Sequence, residues 1–365
     1  MLINKKTVRK NKTLRKIQRD DKRTNRDRAL ERGSALKRNI GKVVRLSSEI
    51  PTGEPCATGE LVKANISADE LLSKLEAAGL TGNSGSGFPT AEKIKAFLSA
   101  DVKNKYVVIN GAECEPALVN DCWLMRNRIG EICCGAEVLT RALSPERVLL
   151  ATRGSADYAA DKSVIEMLKL PYQYPMGEEH ILIAKALGIK LNVEEIPAEK
   201  GILVLNVQTV FQIGRIASGS YDGGRFVTLA NLKSGEARVA YVHNDTNITE
   251  LLGKTFDEPD ATCYAGGGIG RAEKVDADAV FGNTTSFAAV VDETVICKES
   301  PCKKCGGCTK KCPMDVCVKD IVLARQDNPS ADISGLGAEK CIKCGTCAYF
   351  CPAGKNPIIY LSENE

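Results

Sequence analysis

The chain has 365 residues, 43% of them hydrophobic and 26% charged, which is the composition of an ordinary soluble protein with two or three domains. No apolar run approaches the roughly 20 residues of a membrane span, and the N-terminus lacks the apolar region of a secretory signal. We therefore expect a cytoplasmic protein without an integral membrane segment; peripheral attachment to a membrane or a larger complex stays open. Its 16 cysteines indicate metal ligation in a reducing compartment, not disulfides.

The charge is distributed unevenly. Residues 1–50 contain 17 Lys and Arg against 5 Asp and Glu, a balance of +12, and the remaining residues contain 33 against 41, a balance of −8. The head has few apolar residues and no periodicity, so we expect a basic, disordered arm over 1–50. Such an arm could dock an acidic partner protein, anionic lipid or nucleic acid. Nucleic acid is disfavoured because no aromatic residue interrupts the arm to stack on bases.

The organised chain is expected to begin near residue 66 with a helix. Ser67 and Glu70 have capping-box spacing, an apolar stripe follows, and Gly79 suits the C-terminal cap. The helix leads into "TGNSGSGFPTAEKI" (81–94), a glycine-dense turn followed by a lysine-bearing helix. Exposed backbone N–H groups and a helix N-terminus both favour anions, so this turn is a candidate phosphate site.

Strands then alternate with helices. The segment 106–109 is expected to be a short buried strand, 147–152 a second strand, and the start of "GILVLNVQTVFQIGRIASG" (201–219) a third. Strands that alternate with helices favour a mostly parallel sheet that is covered on both faces. Ligands in open α/β sheets bind at the carboxyl edge of the strands. Two groups of polar residues follow strands at that edge: Asn110, Glu113 and Glu115 after the first, and Asn206, Gln208 and Thr209 after the last.

After about residue 225 the pattern changes to short strands, "RFVTLANL", "ARVAYVHN" and "SFAAVVDET", with one helix at "NITELLGKT". This indicates a small α+β module. The glycines of "GGGIG" (266–270) have neither the following helix nor the third glycine of a dinucleotide fingerprint, so a tight turn is expected there.

Two cysteine runs close the chain. Each reads C-x2-C-x2-C-x3-C-P, the spacing that holds a [4Fe–4S] cluster with three cysteines while the fourth ligates the other cluster. Paired zinc sites are disfavoured, because they use two separate C-x2–4-C pairs. We therefore predict two [4Fe–4S] clusters: the first held by Cys302, Cys305, Cys308 and Cys351, and the second by Cys341, Cys344, Cys347 and Cys312.

Several segments carry a family resemblance. "GNSGSGFPTAEK" (82–93) resembles the flavin loop of the FMN-carrying, NADH-oxidising subunit of respiratory complex I. It also resembles that of the C subunit of Rnf-type electron-transport complexes and of the related cobalamin reductases. "VINGAECEPALVNDCWLM", "YPMGEEHILIAKALG" and "GILVLNVQTV" resemble further signatures of the Rnf-type proteins, and the module with "CYAGGGIGRA" is similar to their β-grasp domain. The resemblance covers about residues 66–365.

The resemblance implies an α/β fold in four parts. These are the arm (1–50), a Rossmann-like complex-I-type FMN/NADH-binding domain (51–225), a β-grasp soluble-ligand-binding module (226–295) and a double-cluster ferredoxin-like domain (296–365). It implies FMN contacts at Gly82, Gly85, Gly87, Lys93, Asn110, Asn206 and Thr209. It places NADH near Glu113, Glu115, Tyr174, Gly177, Glu178 and Glu179. No catalytic residue is assigned.

The sequence departs from the family in two respects. Ser84 and Ser86 replace a glycine and an alanine of the flavin loop, and a Cβ at residue 84 hinders any positive φ or close phosphate there. The arm stands where Rnf-type proteins have a barrel-sandwich domain, which favours a soluble or partner-docked relative. Neither histidine has a partner at catalytic spacing. Packing thiols, not ligands, are expected at the remaining nearby cysteines, Cys114, Cys122, Cys297 and Cys317.

Two functions follow. The first is an NADH-dependent electron-transfer oxidoreductase, in which FMN converts a two-electron donor into single electrons for the clusters. Its partner would be a reductase, a corrinoid enzyme or a ferredoxin. The second is an iron–sulfur relay subunit without flavin. Zinc without iron and salt-sensitive nucleic-acid binding would instead indicate a nucleic-acid protein.

Overall fold

The computed structural model describes residues 66–82, 87–113, 115, 117–153, 158, 160–171, 173–268, 272–291 and 300–361, together with the backbone of 45–50. Residues 1–44 of the basic arm lie outside the described residues, as do Cys114 and Cys297. Within the described chain, no helix has the length and apolar character needed to cross a membrane.

The first unit is a parallel sheet flanked by helices. Its strands are β2 (Tyr106–Gly111), β3 (Arg147–Arg153), β4 (Glu166–Leu170) and β5 (Ile202–Asn206), in the order β4-β3-β2-β5, with every pair parallel. Its helices are α1 (Ala68–Ala78), α2 (Thr90–Ser99), α3 (Asn120–Asn127), α4 (Ile129–Leu143), α5 (Glu179–Ala186) and α6 (Val207–Ala217).

The strands are apolar because both faces of this sheet are covered. Successive residues of β2 point to opposite faces: Val107 and Ile109 belong to the core beneath α1, α4 and α6, whereas Val108 belongs to a second core with Leu182 and Ile183 of α5. Helix α1 begins where predicted, since the Glu70 N–H donates to the Ser67 hydroxyl at 3.2 Å. The parallel, doubly covered sheet of the prediction is confirmed.

The second unit is a mixed sheet of six strands. They are β1 (Arg45–Ile50), β6 (Arg225–Asn231), β7 (Glu236–Val242), β8 (Cys263–Gly266), β9 (Glu273–Lys274) and β10 (Phe287–Val290), in the order β1-β7-β6-β10-β8-β9. The hairpin β6–β7 is antiparallel, and β10 lies parallel to β6. Helix α7 (Ile248–Phe256) packs Ile248, Leu251 and Leu252 against one face. This is the β-grasp arrangement that the resemblance implied.

Strand β1 corrects the prediction of a disordered arm over 1–50. Residues 45–50 pair in parallel with β7. The physical reason is that an edge strand presents unpaired N–H and C=O groups, and pairing with them requires backbone atoms, so a polar segment can complete the sheet. The end of the arm is therefore part of the β-grasp sheet.

The third unit contains both cysteine runs. It consists of short helices, α8 (Gly307–Lys311), α9 (Val318–Arg325) and α10 (Thr346–Tyr349), with 3-10 turns at Ala338–Lys340 and Pro357–Tyr360. Its small core contains Val316, Val318, Ile321 and Val322 together with Cys347. None of the described cysteines forms a disulfide.

The β-grasp sheet lies against the carboxyl edge of the parallel sheet. The Val119 N–H donates to the Thr228 hydroxyl at 3.0 Å, and that hydroxyl donates to Asn120 Oδ1 at 2.8 Å. A Cβ built on Gly87 would lie 3.0 Å from Cγ2 of Thr284. The β-grasp module thus covers one side of the edge at which the predicted site residues lie.

Candidate cofactor and electron-transfer site

The glycine-rich loop joins α1 to α2, and its two described ends are held together by the backbone. The Gly82 N–H donates to the Phe88 carbonyl at 2.8 Å, and the Gly87 N–H donates to the Gly82 carbonyl at 3.3 Å. Gly87 has a φ of 63°, a conformation that costs a residue with a side chain about 1–2 kcal/mol. Residues 83–86 lie outside the described residues, and with them the predicted contact Gly85 and the two serine departures.

The start of α2 fits an anion. The Thr90 hydroxyl is buried and has no hydrogen-bond partner, and a helix N-terminus attracts negative charge. In the first turn, Lys93 Nζ lies 2.7 Å from Glu179 Oε1, so the lysine links the loop to α5. An unsatisfied hydroxyl, a left-handed glycine and an ammonium group together fit the phosphate of a flavin mononucleotide.

The carboxyl edge of the parallel sheet brings the predicted asparagines together. Asn110 Nδ2 donates to the Gly177 carbonyl at 2.8 Å. Asn206 Nδ2 approaches the Asn110 carbonyl at 3.4 Å, while Asn206 Oδ1 accepts the Gln208 N–H at 2.9 Å and so caps α6. Thr209 is buried in the first turn of that helix. Because β2 and β5 are neighbouring strands, Asn110 and Asn206 form one polar surface at this edge although they are almost 100 positions apart in the chain.

Two buried carboxyl groups lie at the same edge. The side chain of Glu113 is fully buried; its Oε1 accepts the Asp121 N–H at 2.7 Å, and its Oε2 lies 3.4 Å from Arg153. Asp121 Oδ2 accepts a hydrogen bond of 2.8 Å from Asn206 Nδ2. Burial raises the pKa of Glu113 to about 7, against the opposing effect of the Arg153 guanidinium. Burial also raises the pKa of Asp121, to about 6. The cluster can therefore hold or release a proton near neutral pH.

Two further residues that were predicted to lie near the nucleotide are Glu178 and Glu115. Glu178 caps α5, where its Oε2 accepts the Ile181 N–H at 3.1 Å and its Oε1 lies 3.0 Å from His180 Nδ1. His180 Nε2 is buried and has no hydrogen-bond partner. The Glu115 side chain lies against the β-grasp module, since a Cβ on Gly268 would be 2.4 Å from Glu115 Cγ. The contact between His180 and Glu178 was not expected from the sequence.

Tyr174 connects the nucleotide-site residues to the cysteine runs. Its hydroxyl donates a hydrogen bond to the carbonyl of Cys344. Its ring also packs on the ring of Tyr349, with the centroids 5.0 Å apart. Tyr174 was predicted as a nucleotide contact, and the structure places it on the second cysteine run as well.

The two cysteine runs have the same backbone conformation at equivalent positions. Positive φ angles occur one residue before the second cysteine, one residue after it and three residues after the fourth. The equivalent pairs are Lys304 and Lys343, Gly306 and Gly345, and Asp315 and Gly354. Left-handed residues with side chains are unfavourable, so their recurrence in both runs indicates two loops shaped for the same task.

Thiols of the two runs lie near one another. The pKa of Cys308 is raised by burial and additionally by the nearby Cys351, and the pKa of Cys312 is raised by burial and additionally by the nearby Cys341. Which cysteines share a cluster stays a prediction. Cys347 also interacts with Cys308, so the two groups adjoin. Burial raises the pKa of the Cys347 thiol to about 12, which means that thiolates would form as metal binds. Among the described side chains, no three potential ligands converge on a point that would suit a single metal ion; a cubane distributes its cysteines over four irons.

Sequence reasoning did not assign two residues of the site, Asp121 and Arg153. Arg153 had a usable signal, because it is the last residue of β3 and therefore lies at the same carboxyl edge as Asn110. Asp121 belongs to the signature segment 108–125, although nothing in that segment marked it as a buried partner of Glu113.

Comparison with known families agrees with this geometry. The Nuo51 FMN-binding domain family matches residues 75–215, and a 4Fe–4S binding domain family matches 299–315 and 338–354. The NAD+-reducing [NiFe]-hydrogenase has a similar fold in two crystal structures. In the H2-reduced state the TM-score is 0.55 at 16% identity over 87% of this chain and 66% of the other. In the air-oxidised state the TM-score is 0.51 at 20% identity, over 66% of this chain and 49% of the other.

Three curated relatives show the sequence similarity. The C subunit of an ion-translocating oxidoreductase complex from Haemophilus influenzae is 31% identical over 69% of this chain and 32% of its own length. The C subunit of the Na(+)-translocating ferredoxin:NAD(+) oxidoreductase complex from Acetobacterium woodii is 27% identical over 82% and 70%. Cobalamin reductase PduS from Salmonella typhimurium is 26% identical over 81% and 71%. The chain spans about a third of the length of the first of these relatives.

The fold and its two cysteine motifs define an iron–sulfur flavoprotein with a complex-I-type FMN-binding domain and a motif for each of two [4Fe–4S] clusters. Within that class, the chain belongs to the family of Rnf-type complex C subunits, which is related to the cobalamin reductases.

Proposed function

We propose that the chain is an electron-transfer oxidoreductase that passes electrons between NADH, a bound FMN, two [4Fe–4S] clusters and a protein redox partner. The observation that carries this proposal is the contact of Tyr174 with Cys344, because it joins the nucleotide edge of the parallel sheet to the second cysteine run. Electron transfer of this kind requires a two-electron donor site that lies close to the one-electron centres, and this contact supports such an arrangement.

The residues around the edge have separate tasks in this proposal. Thr90, Lys93 and the loop ends at Gly82 and Gly87 would hold the FMN phosphate, whereas Asn110, Asn206 and Thr209 would contact the rest of the flavin. The dinucleotide would enter between the Glu178–Glu179 turn and Glu115. FMN, when bound, supplies the chemistry that accepts a hydride and releases single electrons.

The electrostatics of the edge support a transient nucleotide. Glu113 and Asp121 together face one guanidinium, that of Arg153, so ionisation of both leaves excess negative charge in a buried place. A phosphate-bearing nucleotide is repelled by that charge, and a protonated Glu113 removes part of it. We therefore assign Glu113 the task of holding a proton at the edge.

The test is anaerobic purification followed by iron, sulfide and flavin analysis, with a visible spectrum before and after NADH. The proposal predicts about eight irons, one FMN and bleaching of both chromophores by NADH. Eight irons without flavin, or without a response to NADH, would instead identify a relay subunit. Zinc in place of iron would overturn the cluster assignment as well.

A further inference from the structure

The two cysteine runs differ in their surroundings. The second run lies against the parallel-sheet unit through Tyr174, and Cys347 is buried. The first run faces outward: Cys305 is exposed. On the ligand assignment predicted from the sequence, the second cluster is therefore the one next to the parallel-sheet unit, and the first is the one that solvent and partners reach.

The surface around the first run is strongly basic. Residues 302–319 contain five lysines and one aspartate, and Lys303, Lys304, Lys310 and Lys311 are all exposed. Each of these lysines is one or two residues from a predicted cluster ligand, so its Cα lies within about 8 Å of that ligand's Cα.

These lysines are largely free of acidic partners. Among the residues that the structure describes, Lys303, Lys304 and Lys310 form no ion pair, and Lys311 Nζ lies over the ring of Phe350, 5.0 Å from its centroid. Residues 51–365 carry a balance of −8, so this patch contrasts with the charge of the body. An acidic protein would be repelled by most of the body and attracted to the patch.

We infer that Lys303, Lys304, Lys310 and Lys311, around the exposed Cys305, form the docking surface for an acidic one-electron carrier protein of the ferredoxin type. This inference rests on the proposed function and adds the chemical class of the partner and the site at which it docks. In the exchange, one electron leaves a reduced iron–sulfur centre of the carrier and reduces the first cluster of this chain. Charge complementarity mainly sets the rate of encounter, as a transient redox partner requires.

The test uses the full chain and, as probe, a small bacterial ferredoxin with two [4Fe–4S] clusters and an acidic surface. Lys303→Glu/Lys304→Glu is compared with the wild type and with Lys103→Glu/Lys190→Glu, a control of equal charge change at two lysines exposed on the parallel-sheet unit. Calorimetry gives the Kd with oxidised ferredoxin, and stopped-flow absorbance gives the rate of electron transfer from reduced ferredoxin.

We expect the Lys303/Lys304 variant to bind ferredoxin at least about tenfold more weakly in low salt and to receive electrons correspondingly more slowly. The control should stay within about twofold of the wild type, and the difference should vanish near 0.5 M salt, where exposed charges are screened. Iron content must be unchanged in all three proteins. Lys310→Glu/Lys311→Glu should show the same loss.

Equal ferredoxin binding by all variants would overturn the inference. An equal loss in the Lys303/Lys304 variant and in the Lys103/Lys190 control would also overturn it, and so would a loss of binding that appears only when residues 1–44 are removed. NADH–ferricyanide activity separates the two proposals. If this activity is present while ferredoxin binding ignores the patch, the docking surface is wrong and the oxidoreductase stands. If the wild type lacks the activity but binds ferredoxin through the patch, the oxidoreductase fails and the docking surface stands.

Discussion

At the scale of single residues, the environment of Glu113 determines the pH range in which its carboxyl group is protonated. The carboxyl group is buried beside Asp121, with Arg153 as the cation that faces it. Because burial raises its pKa above the ordinary value, the folded chain holds more protons than the unfolded chain between about pH 4.5 and pH 7. Folding stability from this group is therefore greatest at low pH and falls as the pH rises through that window.

We expect a pH-dependent carboxylic-acid C=O band in the infrared spectrum that persists above pH 6 in the wild type and disappears as the pH rises through about 7. Glu113→Gln should abolish most of this band. Glu194→Gln, at an exposed residue outside the buried cluster, should leave the band unchanged. Retention of the full band in Glu113→Gln would place the proton elsewhere, with Asp121 as the next residue to test.

At the scale of elements, the two cysteine runs are an internal repeat, and we predict that their fourth cysteines are exchanged between the two clusters. Equivalent left-handed residues such as Lys304 and Lys343 shape both loops. The helices α8 and α10 each begin directly after the equivalent glycines Gly306 and Gly345. A repeat with exchanged ligands would make each cluster depend on both halves.

Double variants test the exchange. We predict that Cys305→Ala/Cys351→Ala loses one cluster and keeps about four irons, as each single variant does, because both cysteines serve the same cluster. Cys344→Ala/Cys351→Ala should lose both clusters. Cys317→Ala should keep about eight irons, as a packing thiol would. Iron and sulfide analysis with electron paramagnetic resonance gives the result, and the reverse pattern would show that each run holds its own cluster.

At the scale of the whole molecule, the contacts of Tyr174 with the second cysteine run join two units. The hydrogen bond to Cys344 and the packing on Tyr349 connect the edge of the parallel sheet to the cluster-bearing unit. A hydrogen bond of this kind contributes about 1 kcal/mol, so its loss makes the docked arrangement about fivefold less favourable.

Tyr174→Phe should therefore retain iron and flavin and still be bleached by NADH in the flavin band, while reduction of the clusters slows by up to about fivefold, because a smaller fraction of molecules is docked. Rapid mixing with NADH separates the two signals. Tyr264→Phe, on β8 of the β-grasp sheet, is the control and should reduce its clusters at the wild-type rate. If Tyr174→Phe slows flavin reduction alone, the residue acts on the nucleotide and not on the junction.

Much of this architecture was available from local patterns. The strands 106–109 and 147–152, the cap at Ser67, the helix after Asn206 and the spacing of the cysteine runs are each determined by neighbours within a few residues. Periodicity, capping and ligand spacing are short-range properties, so the sequence predicts them well. The disordered arm was wrong at residues 45–50, because the edge of β7 with which they pair is almost 200 positions away.

The sequence by itself thus determined the parallel sheet, the β-grasp module and the motifs for FMN and two [4Fe–4S] clusters. Tertiary structure alone decided which of these motifs touch. It placed Asp121 and Arg153 on Glu113, brought Tyr174 to Cys344 and left Cys305 among lysines at the surface. The reason is physical: hydrogen bonds and burial between distant residues depend on how units pack, and no local pattern encodes that packing.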